Sequence, residues 1–250
     1  MKTTKELLLW MMQRYDIGKK PLSRLLGWGE TTVMRYLDGV EPNQEFFRRM
    51  EELAENPWRY ARVLEQNKEK LTDTAYRKTK KAVYREIFCD RSTEAMQYVV
   101  ALAEGDIAPY RVMTVLYYAQ TCSVVLRGIP LFEEEADFSP GQAMIYPRLY
   151  QMMKQYGIRV FNPDISSFST EEQEYLKQVY LVLNGYSPNA LKALHAREKR
   201  RIRRHLKGSA DRLSMEDLKG QYESSFRKSG VENPEDLKLY LADALKRTEN

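Results

Sequence analysis

The sequence predicts an all-α protein in two parts, a small N-terminal bundle followed by a larger helical domain. Three observations predict it. The strongest is the stretch Arg111 to Phe132, where Val112, Val115, Leu116, Ala119, Cys122, Ser123 and Leu126 recur at i, i+3, i+4, i+7, i+10, i+11 and i+14. The opposite face is hardly polar (Met113, Tyr117, Tyr118, Val124, Val125), so this helix is expected to lie among other helices. The second observation is a short helix, a tight glycine turn and another short helix between Lys20 and Leu37. The third is a succession of capping residues, each followed by an amphipathic segment.

Bulk properties narrow the class. The chain of 250 residues is 43% hydrophobic and 30% charged, ordinary values for a globular protein. The longest apolar run, inside Arg111–Phe132, holds Gln120 and Thr121 and is too short and too polar to span a bilayer. Leu7 to Met12 is flanked by charges and reads as an amphipathic helix rather than a secretion signal. No membrane partner is expected. The 2 cysteines, Cys89 and Cys122, fall in helical patterns and point to free buried thiols in a reducing cytoplasm. No Cys/His cluster suggests a metal, no glycine-rich phosphate loop occurs, and neither His195 nor His205 sits in a nucleophile–base motif. The expectation is a protein with no catalytic residues, no metal and no cofactor. His195 reads as a packed helix-end side chain.

The net charge of +5 is unevenly placed. Residues 1–90 carry a net +4, residues 91–195 a net −3, residues 196–207 a net +6 and residues 208–250 a net −2. A basic first module with a basic segment far downstream fits contact with nucleic acid at one end.

In chain order, Thr3-Thr4 caps a helix over about Lys5–Tyr15 with Leu8, Leu9 and Met12 inward. Lys20–Leu26 follows, with Pro21 in its first turn. Gly27 turns the chain into Glu30–Leu37, which Asp38-Gly39 stops, and Asn43 caps a fourth helix carrying Phe46, Phe47, Met50 and Leu53. Asn56-Pro57 opens a helix ended by Asn67, so residues 1–67 form the first domain. Leu71–Ile87, rich in Lys and Arg, reads as an exposed linker helix within 68–90, its Arg77, Lys78, Lys80 and Lys81 forming a solvated face.

The run KKPLSRLLGWGETTVMRYLDG resembles the Cro/repressor-type helix-turn-helix domain, matching at Gly27, Trp28, Gly29, Thr31, Thr32, Val33, Arg35, Tyr36 and Gly39. It departs at Pro21 and Leu37, where that family carries glutamine and glutamate. With Val33 and Tyr36 packed inward, Glu30, Thr31, Met34 and Arg35 are left to face the major groove of operator DNA. Arg35 suits a guanine edge, Glu30 a cytosine amino group and Thr31 either kind of edge. Lys19, Lys20 and Arg24 lie where phosphates flank the groove.

The second part runs over 91–207. Thr93–Ala103 is a compact helix on Met96, Val99, Val100 and Ala103; then come the Arg111–Phe132 stretch and the acidic run Glu133–Glu135. Tyr146–Gly157 is amphipathic, Phe161–Phe168 a loop, and Thr170-Glu171-Glu172-Gln173 opens a helix. Ser187 caps a helix at Pro188 to about His195, followed by a strongly basic segment to Lys207. Two C-terminal helices, capped at Ser214 and Asn233, occupy 208–250 and either dock on this domain or pair with another subunit as a homodimer.

Several elements of this part resemble the Panacea, or SocA-like, antitoxin domain. They are Val115, Leu116, Tyr117, Tyr118, Ala119 and Gln120; then Gly128, Pro130, Leu131 and Phe132; then Pro147, Leu149 and Tyr150; then Val179, Tyr180, Ser187, Leu191, Leu194 and His195. The chain departs where SPGQAMIYP replaces an aromatic-Gly-Pro turn and where Glu198–Arg204 replaces Pro-Trp. The resemblance implies an all-helical domain that neutralises a cognate protein toxin encoded next to it, in an operon repressed through the DNA-binding half. Toxin contact is expected at the departing loop and basic segment, through Gln142, Tyr146, Arg148, Arg200, Arg201 and Arg204. The alternative is a phage-type transcriptional regulator or a proteolytic adaptor without a toxin.

Overall fold

The computed structural model describes residues 3–141, 144–156, 167–205 and 212–246. It is all-α: 13 α-helices occur among the described residues, with one two-stranded antiparallel ladder. The chain divides into two compact units, Met1–Cys89 and Asp90–Asn250.

The first unit holds α1 (Thr4–Arg14), α2 (Lys19–Leu26), α3 (Glu30–Leu37), α4 (Gln44–Glu55), α5 (Pro57–Gln66) and α6 (Asp73–Ile87). A capping box opens α1: the Thr3 hydroxyl accepts from the Glu6 amide and the Glu6 carboxylate accepts from the Thr3 amide. The buried stripe of α1 is Thr4, Leu7, Leu8, Met11 and then Tyr15, rather than Leu8, Leu9 and Met12; Leu9 is 47% exposed. Of the two stripes that the leucine run allows, this one brings Tyr15 inward. There its hydroxyl donates to the Ala54 carbonyl at 2.9 Å, and its ring stacks on Tyr60 at 3.9 Å. Arg14 donates to the same carbonyl at 2.8 Å, so two side chains of the α1 end satisfy the open end of α4.

Helix α6 departs from the expected exposed linker. It buries Tyr76, Thr79, Val83, Tyr84 and Ile87 and packs on α5 inside the first unit. Thr79 ties it inward by donating to the Tyr15 carbonyl at 2.5 Å. Arg77, Lys78 and Lys81 remain outside, with Arg77 on Asp73 and Lys78 on Asp16, both at 2.9 Å, whereas Lys80, expected on the same solvated face, is half-buried and paired with Glu65 at 3.0 Å.

The second unit is organised around α8 (Pro109–Cys122), which continues as a π-helical turn over Ser123–Arg127 and ends on Gly128. Every residue from Val112 to Cys122 is buried. Five helices of the unit pack on α8: α7 (Arg91–Leu102), α9 (Pro147–Tyr156), α10 (Thr170–Asn184), α11 (Pro188–His205) and α12 (Met215–Ser229). Gly128 has φ of +72°, a conformation that carries a steric cost for other residues and lets the chain turn back along the helix. There Gln120, fully buried in α8, clamps the returning segment. Its amide nitrogen donates to the Phe132 carbonyl at 2.6 Å and its oxygen accepts from the Leu131 amide at 2.7 Å. This geometry joins Gln120 of α8 to the Gly-x-Pro-Leu-Phe run.

The pair β1 (Ala136–Asp137) and β2 (Arg212–Leu213) was not expected and joins the acidic loop to the segment before α12. A second capping box, Ser169 with Glu172, opens α10. Helix α11 does not stop near His195 but runs on to His205, because Leu191, Leu194, Glu198 and Ile202 continue one buried stripe. Finally α13 (Leu237–Lys246) buries Leu237, Tyr240, Leu241 and Ala244 and packs against α10, α11 and α12. Both C-terminal helices therefore belong to the core of the second unit.

Candidate functional site

The candidate nucleic-acid interface lies in the first unit. Gly27, with φ of +71°, ends α2, and the Trp28 amide donates to the Ser23 carbonyl at 2.8 Å, closing the turn. Gly29 starts α3 in extended backbone. Trp28 stands edge-on to Tyr36 at 5.8 Å and to Phe46 at 5.7 Å, which props the turn against α4. The inward residues of α3 are Val33 and Leu37; Tyr36 is only half-buried, against the expectation that it packs beside Val33.

All seven candidate DNA contacts, Lys19, Lys20, Arg24, Glu30, Thr31, Met34 and Arg35, are exposed. The fold gathers three of them. Glu30, in the first turn of α3, lies 3.5 Å from Lys20 Nζ and 3.9 Å from an Arg24 guanidinium nitrogen of α2. Such exposed pairs contribute little to stability. They do bring two cations to the N-terminal end of α3.

The six residues expected to face a toxin in the second unit are not one surface. Gln142 lies outside the described residues. Tyr146 is 1% exposed, packed edge-on to Phe132 at 5.7 Å, and offers a partner nothing. Arg148 is half-exposed but engaged, donating to Asp90 at 3.0 Å, to Ser92 at 2.6 Å and to Glu134. Arg201 is turned inward, leaving Arg200 and Arg204 as the exposed cations of the six that make no ion pair among the described residues.

Arg201 turns inward because Glu198, only 2% exposed, is the centre of a buried polar network. The Glu198 carboxylate accepts from Arg201 at 2.8 Å, from the Tyr222 hydroxyl at 2.8 Å and from the Tyr240 hydroxyl at 2.5 Å. The Tyr222 proton is committed to Glu198, so Tyr117 of α8 donates to the Tyr222 oxygen across 2.7 Å. Arg201 also donates to the Gln221 carbonyl at 2.7 Å and lies 4.4 Å over the Tyr222 ring. Burial raises the Tyr222 and Tyr240 phenols, and the neighbouring Glu198 charge pushes them the same way. They are proton donors at neutral pH. The network holds four elements of the second unit together.

His195 is packed between Phe138, stacked at 6.4 Å, and Tyr110, edge-on at 5.9 Å, and its buried Nδ1 has no hydrogen-bond partner among the described residues. Burial, and then the Lys199 charge, depress its pKa from 6.5 to about 4. Below about pH 6.5 unfolded chains take up this proton while folded chains do not until about pH 4. Stability is therefore expected to fall as pH drops through that window, as read by urea midpoints. His195→Phe should remove that part of the slope; an unchanged slope would show that His195 is not its source.

Other groups offer less chemistry. Cys122 is fully buried and its thiol pKa is raised by desolvation, whereas Cys89, expected to be buried too, is exposed. Among the described residues no three His, Cys, Asp or Glu side chains form a metal site, and no helix is long and apolar enough to cross a membrane. A cleft of about 400 Å³ opens between the π turn and the end of α12, with Val125, Leu126, Phe226 and Val231 as its apolar walls and Glu223, Arg227 and Glu232 at its polar edge.

The chain matches no family model, no curated protein and no solved structure.

Three features were not read from the sequence: the Glu198 network, the Gln120 clamp and the aromatic prop at Trp28. Only the last had a local signal, since Trp28 sits inside the glycine turn and Tyr36 lies on the helix that follows.

Proposed function

We propose that this chain is a cytoplasmic antitoxin that acts by binding, holding operator DNA with its first unit and a co-encoded protein toxin with its second. The observation that carries the DNA half is the α2–Gly27–α3 turn with Lys19, Lys20, Arg24 and Arg35 exposed around it. A recognition helix of this kind reads base edges from its exposed N-terminal residues, while cations on the preceding helix meet phosphates. The toxin half rests on the Panacea resemblance of the second unit, and Arg200 and Arg204 are the exposed cations left to meet a partner. Exposed charge of one sign steers a partner of opposite sign and sets specificity more than affinity.

Gel-shift titration with DNA from upstream of the reading frame tests the first half. Arg35→Ala is expected to weaken binding by about tenfold, the worth of one bidentate contact to a base edge. Unchanged binding in the variant, or none in the wild type, would remove the groove-reading assignment. Co-expression with the product of the adjacent reading frame tests the second half. Growth arrest by that product alone, relieved by this chain, is the expected result. A harmless neighbour would leave a DNA-binding regulator without a toxin.

A further inference from the structure

In the first unit, a 3-10 turn at Lys68–Lys70 packs against α2, the helix that carries Lys19, Lys20 and Arg24. A second contact fixes this neighbourhood: Lys78 Nζ of α6 lies 2.9 Å from the carboxylate of Asp16, shortly before α2 begins. The start of α6 and the entrance to α2 are thus side by side.

Both Lys68 and Lys70 are exposed. Three cations of α6 are already neutralised, Arg77 by Asp73 at 2.9 Å, Lys78 by Asp16 and Lys80 by Glu65 at 3.0 Å. Lys68 and Lys70 make no ion pair among the described residues. Lys68 Nζ instead stands 5.5 Å over the Tyr76 ring, an arrangement that attracts the ammonium without using its donors. After Glu69 the turn keeps a net charge of +1. Ammonium groups on flexible stems act as point charges, suited to phosphates rather than to base edges.

We infer that Lys68 and Lys70 are backbone-phosphate contacts, extending the DNA footprint of the first unit past the helix-turn-helix onto the turn before α6. The inference rests on the DNA-binding reading above. It requires these lysines to contribute to affinity and salt dependence equally on any duplex, and nothing to sequence preference.

The test is fluorescence anisotropy of the full chain on two labelled duplexes of about 30 base pairs, one from upstream of the reading frame and one a shuffled control, between about 50 and 200 mM salt. Each phosphate contact contributes about 0.9 to the slope of log affinity against log salt, so Lys68→Ala/Lys70→Ala should flatten it by about 1.8. Raising salt fourfold would then cost the variant about tenfold less affinity than it costs the wild type, on both duplexes alike. Far-UV circular dichroism and melting should stay at wild-type values, since neither side chain is buried. Where the wild type binds, an unchanged slope, or a loss confined to the upstream duplex, overturns this inference alone. A wild type that binds neither duplex overturns the DNA reading and this inference with it.

Discussion

Glu198→Ala is expected to destabilise the second unit by about 3–5 kcal/mol, the cost of breaking a buried ion pair from one side. Alanine would leave the Arg201 guanidinium without its carboxylate and the Tyr222 and Tyr240 hydroxyls without their acceptor, in a site where the carboxylate is 2% exposed. The direct contact is only part of the effect. A buried donor left unmade costs its full desolvation, about 1–3 kcal/mol, so three stranded donor groups outweigh the bonds themselves. Urea unfolding followed by circular dichroism reads the change. Tyr240→Phe removes one bond together with its own donor and should cost much less. A loss below about 1 kcal/mol for Glu198→Ala would mean that water replaces the carboxylate and the network is not closed.

Gln120→Leu is expected to cost about 3 kcal/mol by a different route. Leucine is one heavy atom shorter than glutamine, so a small packing loss in α8 adds to the main effect. What is lost is the clamp on the returning chain, leaving the Leu131 amide and the Phe132 carbonyl buried without partners. Gln120→Glu separates the two contributions. It keeps the acceptor for the Leu131 amide but sets a second acceptor against the Phe132 carbonyl. Melting temperatures of the three chains should rank wild type highest. A Gln120→Leu protein as stable as wild type would show that the segment finds other partners.

Much of the fold is legible in the sequence, and the failures have specific causes. The bounds of α3 follow from Gly29 before it and Asp38-Gly39 after it, and α8 follows from a stripe that no other structure would tolerate. The facing of α1 does not follow, because Leu7-Leu8-Leu9 fits two stripes equally and only the packing of Tyr15 decides between them. Helix α6 looks exposed because its inward positions include Tyr76, Thr79 and Tyr84, whose polar ends disguise a buried face. At the candidate DNA face, exposure is legible, while the pairing of Glu30 with Lys20 and Arg24 depends on the angle between two helices.

The basic segment of α11 shows where local reading must fail. Seven Lys and Arg against one Glu within residues 196–207 describe a surface by any composition rule. Yet Glu198 is inside, since its hydroxyl partners arrive from 24 and 42 residues further along the chain. Arg201 follows it inward. No short window of sequence contains both the carboxylate and its hydroxyl partners.

That separation also orders events during synthesis. Tyr117 is made early, Glu198 some eighty residues later, and the last hydroxyl of the network only at residue 240. Until α13 has left the ribosome, the Glu198 carboxylate lacks one of its donors and α11 lacks its cover. Nascent second units therefore remain incomplete until α13 has emerged, exposed in that interval to proteases and to early partners. A stop codon anywhere before residue 240 would prolong that interval indefinitely.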